Sequence, residues 1–269
     1  MTPGRPTPSD AERLRALHRA GSPLVVANAW DAASAAAFVA AGMQVIATSS
    51  GAMSQALGYA DGENTPASEM FAAIARIAMA AALRDGKPSG AVITADIENG
   101  YGLSGPDLAE QLANAGAAGC NLEDSHPHTR KMISPETQAQ RIAALRAAAQ
   151  SQGTGLVINA RVDLYVREEG TQVSTQKRLE MSIERARRYI DSGADCIFPI
   201  LMTDESDIAT FVKEVPGPVN IMAVKSAPGL ERLKQLGVAR VSYGSGIHRI
   251  ALAAASRAAG KLLAGQDPW

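Results

Sequence analysis

The sequence predicts an α/β chain closed into a (β/α)8 barrel of the TIM type. Short β-branched runs alternate with longer runs rich in Ala, Leu, Arg and Glu along the chain. Most of the short runs are continuously apolar, the mark of strands buried on both faces of a parallel sheet. The segments AGMQVI, AGAAGCNL, SGADCIF and LGVARVS repeat one shape: helix end, Gly, short turn, strand. Eight such units fit in 269 residues, close to the roughly 250 expected of such a barrel. The runner-up is an open doubly wound sheet. It would want a Gly-rich phosphate loop after the first strand, where Ala27-Asn28-Ala29-Trp30-Asp31 stands instead.

Leu24–Ala29 reads as the first strand and the Ala-rich stretch 32–41 as its crossover, ended by Gly42. Strands follow at 45–49, 91–97, 119–123, 156–161, 196–200, 219–224 and 238–243. Between them, apolar residues recur at i, i+3 and i+4 over 68–84, 106–115, 135–149, 175–192, 204–215, 229–236 and 247–263, which predicts helices. Punctuation agrees. Ser134-Pro135-Glu136 offers an N-cap followed by Pro at N1, and Gly116, Gly193 and Gly237 follow helix ends. No linker or composition shift divides the chain, so residues 1–269 read as one domain, with 1–10 a loose tail.

Composition removes several classes. Lys plus Arg is 26 and Asp plus Glu 27, a net charge of -1, so the basic excess of a nucleic-acid binder is missing. Aromatics are 4%, too few for base-stacking platforms. Cys120 and Cys196 make no disulfide framework and read as small core residues near strand starts. The start, MTPGRPTPSDAERLR, has no apolar core of a signal peptide. Residues 32–60 carry no charge, but Gly, Ser, Thr and Gln break them too often for a membrane span. The expectation is a cytoplasmic protein with no membrane or nucleic-acid partner.

Chemistry in such a barrel sits at the C-terminal ends of the strands. There the chain places Asn28 and Asp31, then Ser49, Ser50 and Gly51, then Asp96, Glu98 and Asn99. Further on come Asn121 and Glu123, Asn159, Arg161 and Asp163, and finally Tyr243, Gly244 and Ser245. Asp96 and Glu98, two apart on a strand, should share a face, and Glu123 ends the next strand. Three converging carboxylates repel unless a cation lies between them. All-oxygen ligation suits Mg²⁺, with Mn²⁺ possible. The alternative is an ion-pair network or helix capping. Arg161 supplies a fixed positive charge for a carboxylate or a developing oxyanion; the alternative is a structural bridge to Asp163 or Glu123. Ser49-Ser50-Gly51 could cradle an anion or be a plain turn. His126-Pro127-His128 reads as a mobile loop, with no third His beside it for a metal.

Ala95-Asp96-Ile97-Glu98-Asn99-Gly100-Tyr101-Gly102 resembles the D-x-D-x-G-Y-G segment of the isocitrate lyase/phosphoenolpyruvate mutase superfamily. Asn28-Ala29-Trp30-Asp31-Ala32, Thr48-Ser49-Ser50-Gly51, Leu57-Gly58-Tyr59-Ala60-Asp61, Leu122-Glu123-Asp124, Asn159-Ala160-Arg161-Val162-Asp163 and Pro218-Val219-Asn220 follow the same family order along almost the whole chain. The resemblance implies a homodimer or homotetramer whose eighth helix, here 247–263, is swapped onto a neighbour. It implies Mg²⁺ and a small 2-oxo or 2-hydroxy carboxylate. By motif, Asp96 would ligate the metal directly and Glu98 and Glu123 through water. Ser49, Ser50 and Gly51 would hold the substrate carboxylate. Arg161 would contact the bridging oxygen or carboxylate, and Asp61 would lie on the loop near the reacting centre. Asn159, two residues before Arg161 on its strand, faces the same way and joins the substrate-binding set.

The departures from the family pattern bear on the reaction. Isocitrate and methylisocitrate lyases of the family carry Lys-(Lys/Arg)-Cys-Gly-His after the Glu-Asp pair, with Cys as proton donor. Here the stretch is Glu123-Asp124-Ser125-His126-Pro127-His128-Thr129-Arg130-Lys131, without Cys. The Glu-Asp-Lys start and later Asn-Ser pair of phosphoenolpyruvate mutases are missing too, and Glu98 replaces the usual Asp. The expectation is a divergent Mg²⁺-dependent lyase that breaks a C–C bond through an enolate. Arg161 would stabilise charge, with Asp61, Glu123 or a loop His as the base. A phosphonopyruvate-type P–C mutase or hydrolase is the alternative enzyme. A 2-oxo-acid binding protein without chemistry is the alternative outside enzymes.

Overall fold

A computed structural model describes residues 3–269. It opens with helix α1 (Pro8–Ala16), so the stretch expected as a loose tail turns helical at its end. The reason is local: Thr7 accepts from the Asp10 backbone N–H, and the Asp10 carboxylate accepts from Thr7 N–H in return, a reciprocal capping box ahead of Pro at the first turn.

The first half of the barrel follows as β1 (Leu24–Ala29), α2 (Ala32–Ala40), β2 (Val45–Thr48), α3 (Ser50–Leu57) and α4 (Ala67–Ala81). A small hairpin, β3 (Leu83–Arg84) and β4 (Lys87–Pro88), precedes β5 (Val92–Asp96), α5 (Gly105–Asn114) and β6 (Ala117–Leu122). Then come α6 (Pro135–Ser151), β7 (Val157–Val162), the single turn α7 (Glu168–Thr171), α8 (Thr175–Asp191) and β8 (Cys196–Pro199). The chain ends with α9 (Glu205–Glu214), β9 (Asn220–Met222), α10 (Leu230–Gln235), β10 (Arg240–Ser242) and α11 (Gly246–Leu263). Ser104, Ser134 and Ser174 cap α5, α6 and α8 by accepting the N–H three residues on.

Eight strands form one parallel sheet in the order β8-β7-β6-β5-β2-β1-β10-β9. The edges β8 and β9 meet through a parallel bridge between Ile197 and Val219, with Ile197 N–H donating to Pro218 O at 2.9 Å. The sheet is thereby nearly closed, and the protein is a (β/α)8 barrel. Ile74, Ile77, Leu112, Ile142, Tyr189 and Phe211 fill the layer between strands and helices. Cys120 lies mid-strand in β6, not at a strand start, and Cys196 opens β8; both thiols are buried, and burial pushes each up to about 12.

Helix α1 closes the N-terminal end of the barrel. Its Ala11 and Leu14 pack with Val26, Val45, Val92 and Val157. Gly119 makes room: a Cβ there would stand 2.8 Å from Leu14 Cδ2 and 3.1 Å from Val157 O. Arg15 Nε donates to Asp195 Oδ1 at 2.7 Å, across 180 positions of sequence, and Arg15 Nη2 to Gly155 O at 2.8 Å. At the other extreme α11 leaves the barrel after its first turn. His248 is buried there with its ring 4.9 Å from that of Trp30. Beyond it Ile250 is 67% exposed, Leu252 46% and Leu263 91%. Among the described residues no helix is long and apolar enough to cross a membrane.

Candidate active site

Strand register brings the polar residues together. Asp96, Asn121 and Asn159 are neighbours across β5, β6 and β7. Asn159 Nδ2 donates to Asn121 Oδ1 at 2.8 Å, and Asn121 Nδ2 reaches Asp96 Oδ1 at 3.5 Å. Asp96 N–H donates to Thr48 Oγ1 at 2.8 Å, which ties β5 to the end of β2. The other Asp96 oxygen accepts from Ser50 N–H at 3.1 Å and Ser50 Oγ at 2.9 Å. Here Ser50, expected to hold a substrate carboxylate, holds the protein's own. Ser49 caps α3 and its Oγ is 2.9 Å from Ser245 Oγ. Gly51 is required by close approach: a Cβ there would stand 2.9 Å from Asp61 Oδ2.

Glu98 departs from the expected strand alternation. β5 stops at Asp96, and Glu98 has φ 50°, in the left-handed region where a side chain is strained. The turn aims its carboxylate at the 58–65 loop: Oε2 accepts from Glu63 N–H at 2.6 Å and Oε1 from Tyr101 OH at 3.0 Å. Glu63 Oε1 in turn accepts from Tyr101 N–H at 2.7 Å. Burial, then Asp61 and Asp96, push Glu98 up to about 7. Asp61 is raised by burial and by Asp96. Glu123, 6% exposed, is raised by burial; Arg161 opposes that shift and Asp163, Asp96 and Glu98 add to it.

Arg161 makes both of the ion pairs weighed for it. Its Nε donates to Asp163 Oδ1 at 2.6 Å, Nη2 to Asp163 Oδ2 at 3.3 Å, and Nη1 to Glu123 Oε1. Burial opposes its charge, but Asp163 and Glu123 overcome that and raise its pKa. Sequence reasoning missed a second arginine. Arg167 Nε donates to Ser125 Oγ at 2.8 Å, and Nη2 lies 3.3 Å from Asp163 and 4.0 Å from Glu123. Beneath them Asp124 accepts from Arg185 Nη1 at 3.0 Å and Tyr189 OH at 2.8 Å. His126 and His128 are exposed on a turn closed by the Ser125–Met132 bridge, with His126 N–H donating to Lys131 O.

The metal expectation meets this geometry as follows. Among the described residues no three His, Cys, Asp or Glu side chains are gathered closely enough to ligate one ion directly. Asp61, Asp96, Glu98 and Glu123 nevertheless lie within one another's fields. An all-oxygen set with one direct carboxylate and others acting through water suits a small, hard divalent cation.

Comparison with known proteins supplies the lineage. The family model described as phosphoenolpyruvate phosphomutase matches residues 14–263. The chain belongs to this family. It is thereby a member of the isocitrate lyase/phosphoenolpyruvate mutase superfamily. Within it, an uncharacterised Mycobacterium tuberculosis protein is 38% identical over 246 residues, 90% of this chain and 86% of that one. The 2-methylisocitrate lyase of Salmonella typhimurium is 30% identical over 251 residues, 87% of this chain and 78% of that one. A Burkholderia cenocepacia J2315 structure, provisionally named a phosphonomutase, superposes with a TM-score of 0.83. It is 36% identical, with 92% of this chain and 98% of that one covered. The superfamily contains lyases and mutases, and its members are enzymes.

Proposed function

We propose that this protein is a Mg²⁺-dependent lyase that breaks a C–C bond of a small 2-hydroxy or 2-oxo carboxylate through an enolate. The observation that carries the reading is the set of carboxylates at the barrel mouth, with Glu98 and Glu123 buried, Asp96 half-buried and Asp61 exposed on its loop, and with Arg161 beside Glu123. Asp96 would hold the cation directly, and Glu98 and Glu123 through water. When bound, the cation supplies Lewis-acid polarisation of a substrate oxygen. Ser49, Ser50 and Gly51 start α3, where backbone N–H groups favour an anion, so a substrate carboxylate would compete with Asp96 for Ser50. Arg161 and Asn159 would face the oxygen on which negative charge develops. Asp61, pressed against Gly51, and Glu123 are both raised, which suits a carboxylate that takes and returns a proton.

A P–C mutase or hydrolase acting on a phosphonopyruvate-type substrate is the second reading, favoured by the likeness to the provisional phosphonomutase. A homodimer or homotetramer joined through α11 and a cytoplasmic location complete the proposal. The deciding experiment is calorimetry with a panel of 2-oxo acids, 2-hydroxy acids and phosphonates, with and without Mg²⁺. Asp96→Ala should lose Mg²⁺-dependent binding while keeping the wild-type fold. Unchanged Mg²⁺-dependent affinity in that variant would overturn the metal assignment.

A further inference from the structure

Arg240 opens β10 inside the barrel, within the field of Asp96. It is 1% exposed, and its Nε, Nη1 and Nη2 have no hydrogen-bond partner among the described residues. Its register neighbours are Asn220 on β9 and Leu24 on β1. Register partners in a parallel pair project to the same side, so Arg240 and Asn220 present their side chains next to each other. Asn220 is fully buried. Its Oδ1 accepts from Ser242 Oγ at 3.3 Å, and its Nδ2 has no partner among the described residues.

The acids that could balance this guanidinium are otherwise engaged. Asp195 is held by Arg15, Arg146 and the Ile158 N–H. Asp96 is held by Ser50 and Asn121. Arg240 thus combines a full positive charge with a fork of unmatched N–H donors, and the Asn220 amide adds more donors beside it. Burying an ion without a partner is among the costliest arrangements a protein interior can hold. A charged donor fork with an amide donor beside it matches a compact monovalent anion. Nearby, within the field of Arg240, His18 Nδ1 is 2.8 Å from Leu14 O, and its buried Nε2 has no partner among the described residues. Water bridging Arg240 to that nitrogen would satisfy hydrogen bonds but leave the charge uncompensated.

We infer that the barrel interior carries a binding site for a halide-sized monovalent anion, built from the Arg240 guanidinium and the Asn220 amide. The site lies below the carboxylates and is separate from the proposed substrate pocket. Occupation would place a negative charge beneath Asp96 and stabilise the folded barrel without entering the reaction.

The test uses the full-length protein and two probes. In thermal melts at constant ionic strength, with chloride exchanged for a bulky monovalent anion, each tenfold rise in chloride above its dissociation constant should raise Tm by about 2–3 °C. Arg240→Met should lose that response while keeping whatever general salt effect the wild type shows. In wild-type crystals soaked in bromide, an anomalous peak should appear between Arg240 and Asn220. A chloride response equal in wild type and Arg240→Met, or ordered water in place of the bromide peak, would overturn the assignment. The bromide measurement stands even if the variant does not fold. Loss of Mg²⁺-dependent oxo-acid binding in Asp96→Ala bears only on the carboxylate site, so the two readings fail separately.

Discussion

Replacing Arg161 by Lys keeps the charge and removes the fork. The guanidinium makes three charge-assisted hydrogen bonds, two to Asp163 and one to Glu123. An ammonium on a shorter, differently shaped head meets one of those partners well and leaves the other carboxylate short of a donor. Both carboxylates are at least nine-tenths buried, so solvent replaces little of what is lost. At about 1.5–3 kcal/mol per bond to a charged group, losing two bonds costs roughly 3–6 kcal/mol. For a chain of this size that lowers Tm by about 5–10 °C. If Arg161 also faces the developing negative charge, kcat falls by about 10²–10³-fold on top of the stability loss, as for loss of a preorganised donor. Differential scanning calorimetry and turnover measured on the same preparation separate the two effects. A variant that melts within about 2 °C of wild type would refute the ion-pair ledger. Undiminished kcat in a folded, destabilised variant would leave Arg161 a purely structural bridge.

The remaining predictions concern acid stability and assembly. Burial, with Arg240 nearby, lowers His18 to about 4, so the unfolded chain binds a proton there between pH 6.5 and 4 that the folded chain does not. Stability is therefore present above pH 6.5 and is lost as pH falls towards 4, by roughly 3 kcal/mol at most; urea midpoints of wild type and His18→Leu should converge in that window, and parallel curves would refute it. The apolar residues of α11 need a cover, so light scattering at micromolar concentration should find an oligomer, and Ile250→Glu with Leu252→Glu should shift it towards monomer. A stable wild-type monomer would count against the swapped helix.

The legible parts of the fold were those whose burial is uniform. Leu24–Ala29 is an apolar run bounded by Pro23 and Trp30-Asp31, and the strand has those limits. Helix α3 was hidden because Ser50–Leu57 is uncharged, short and holds a Gly, so neither periodicity nor charge separates its faces. The β3–β4 hairpin was absorbed into the preceding helix, although Asp85-Gly86 is a turn signal, because the apolar spacing of α4 runs on to Leu83. In the site, strand-end logic found Asp96, Glu123 and Arg161. It could not find Arg167 or Glu63, which sit on loops and reach the cluster by side-chain length and turn geometry. Glu98 was found for a reason that fails: alternation does not continue past the strand, and a left-handed residue turns its carboxylate towards the neighbouring loop.

Helix α1 has a consequence for the order in which the barrel can form. It leaves the ribosome before the barrel strands, yet the groups that hold it belong to much later sequence. Leu14 rests where Gly119 makes room, and Arg15 is paired with Asp195. During synthesis α1 has only part of its docking surface, Val26, Val45 and Val92, until β6, β7 and the turn before β8 exist. Its nine residues are too few to persist as an isolated helix in water. A helix made before the strands it rests on is therefore among the late ones to settle. Closure of the barrel floor is a long-range step, with the slow formation expected of contacts far apart in sequence.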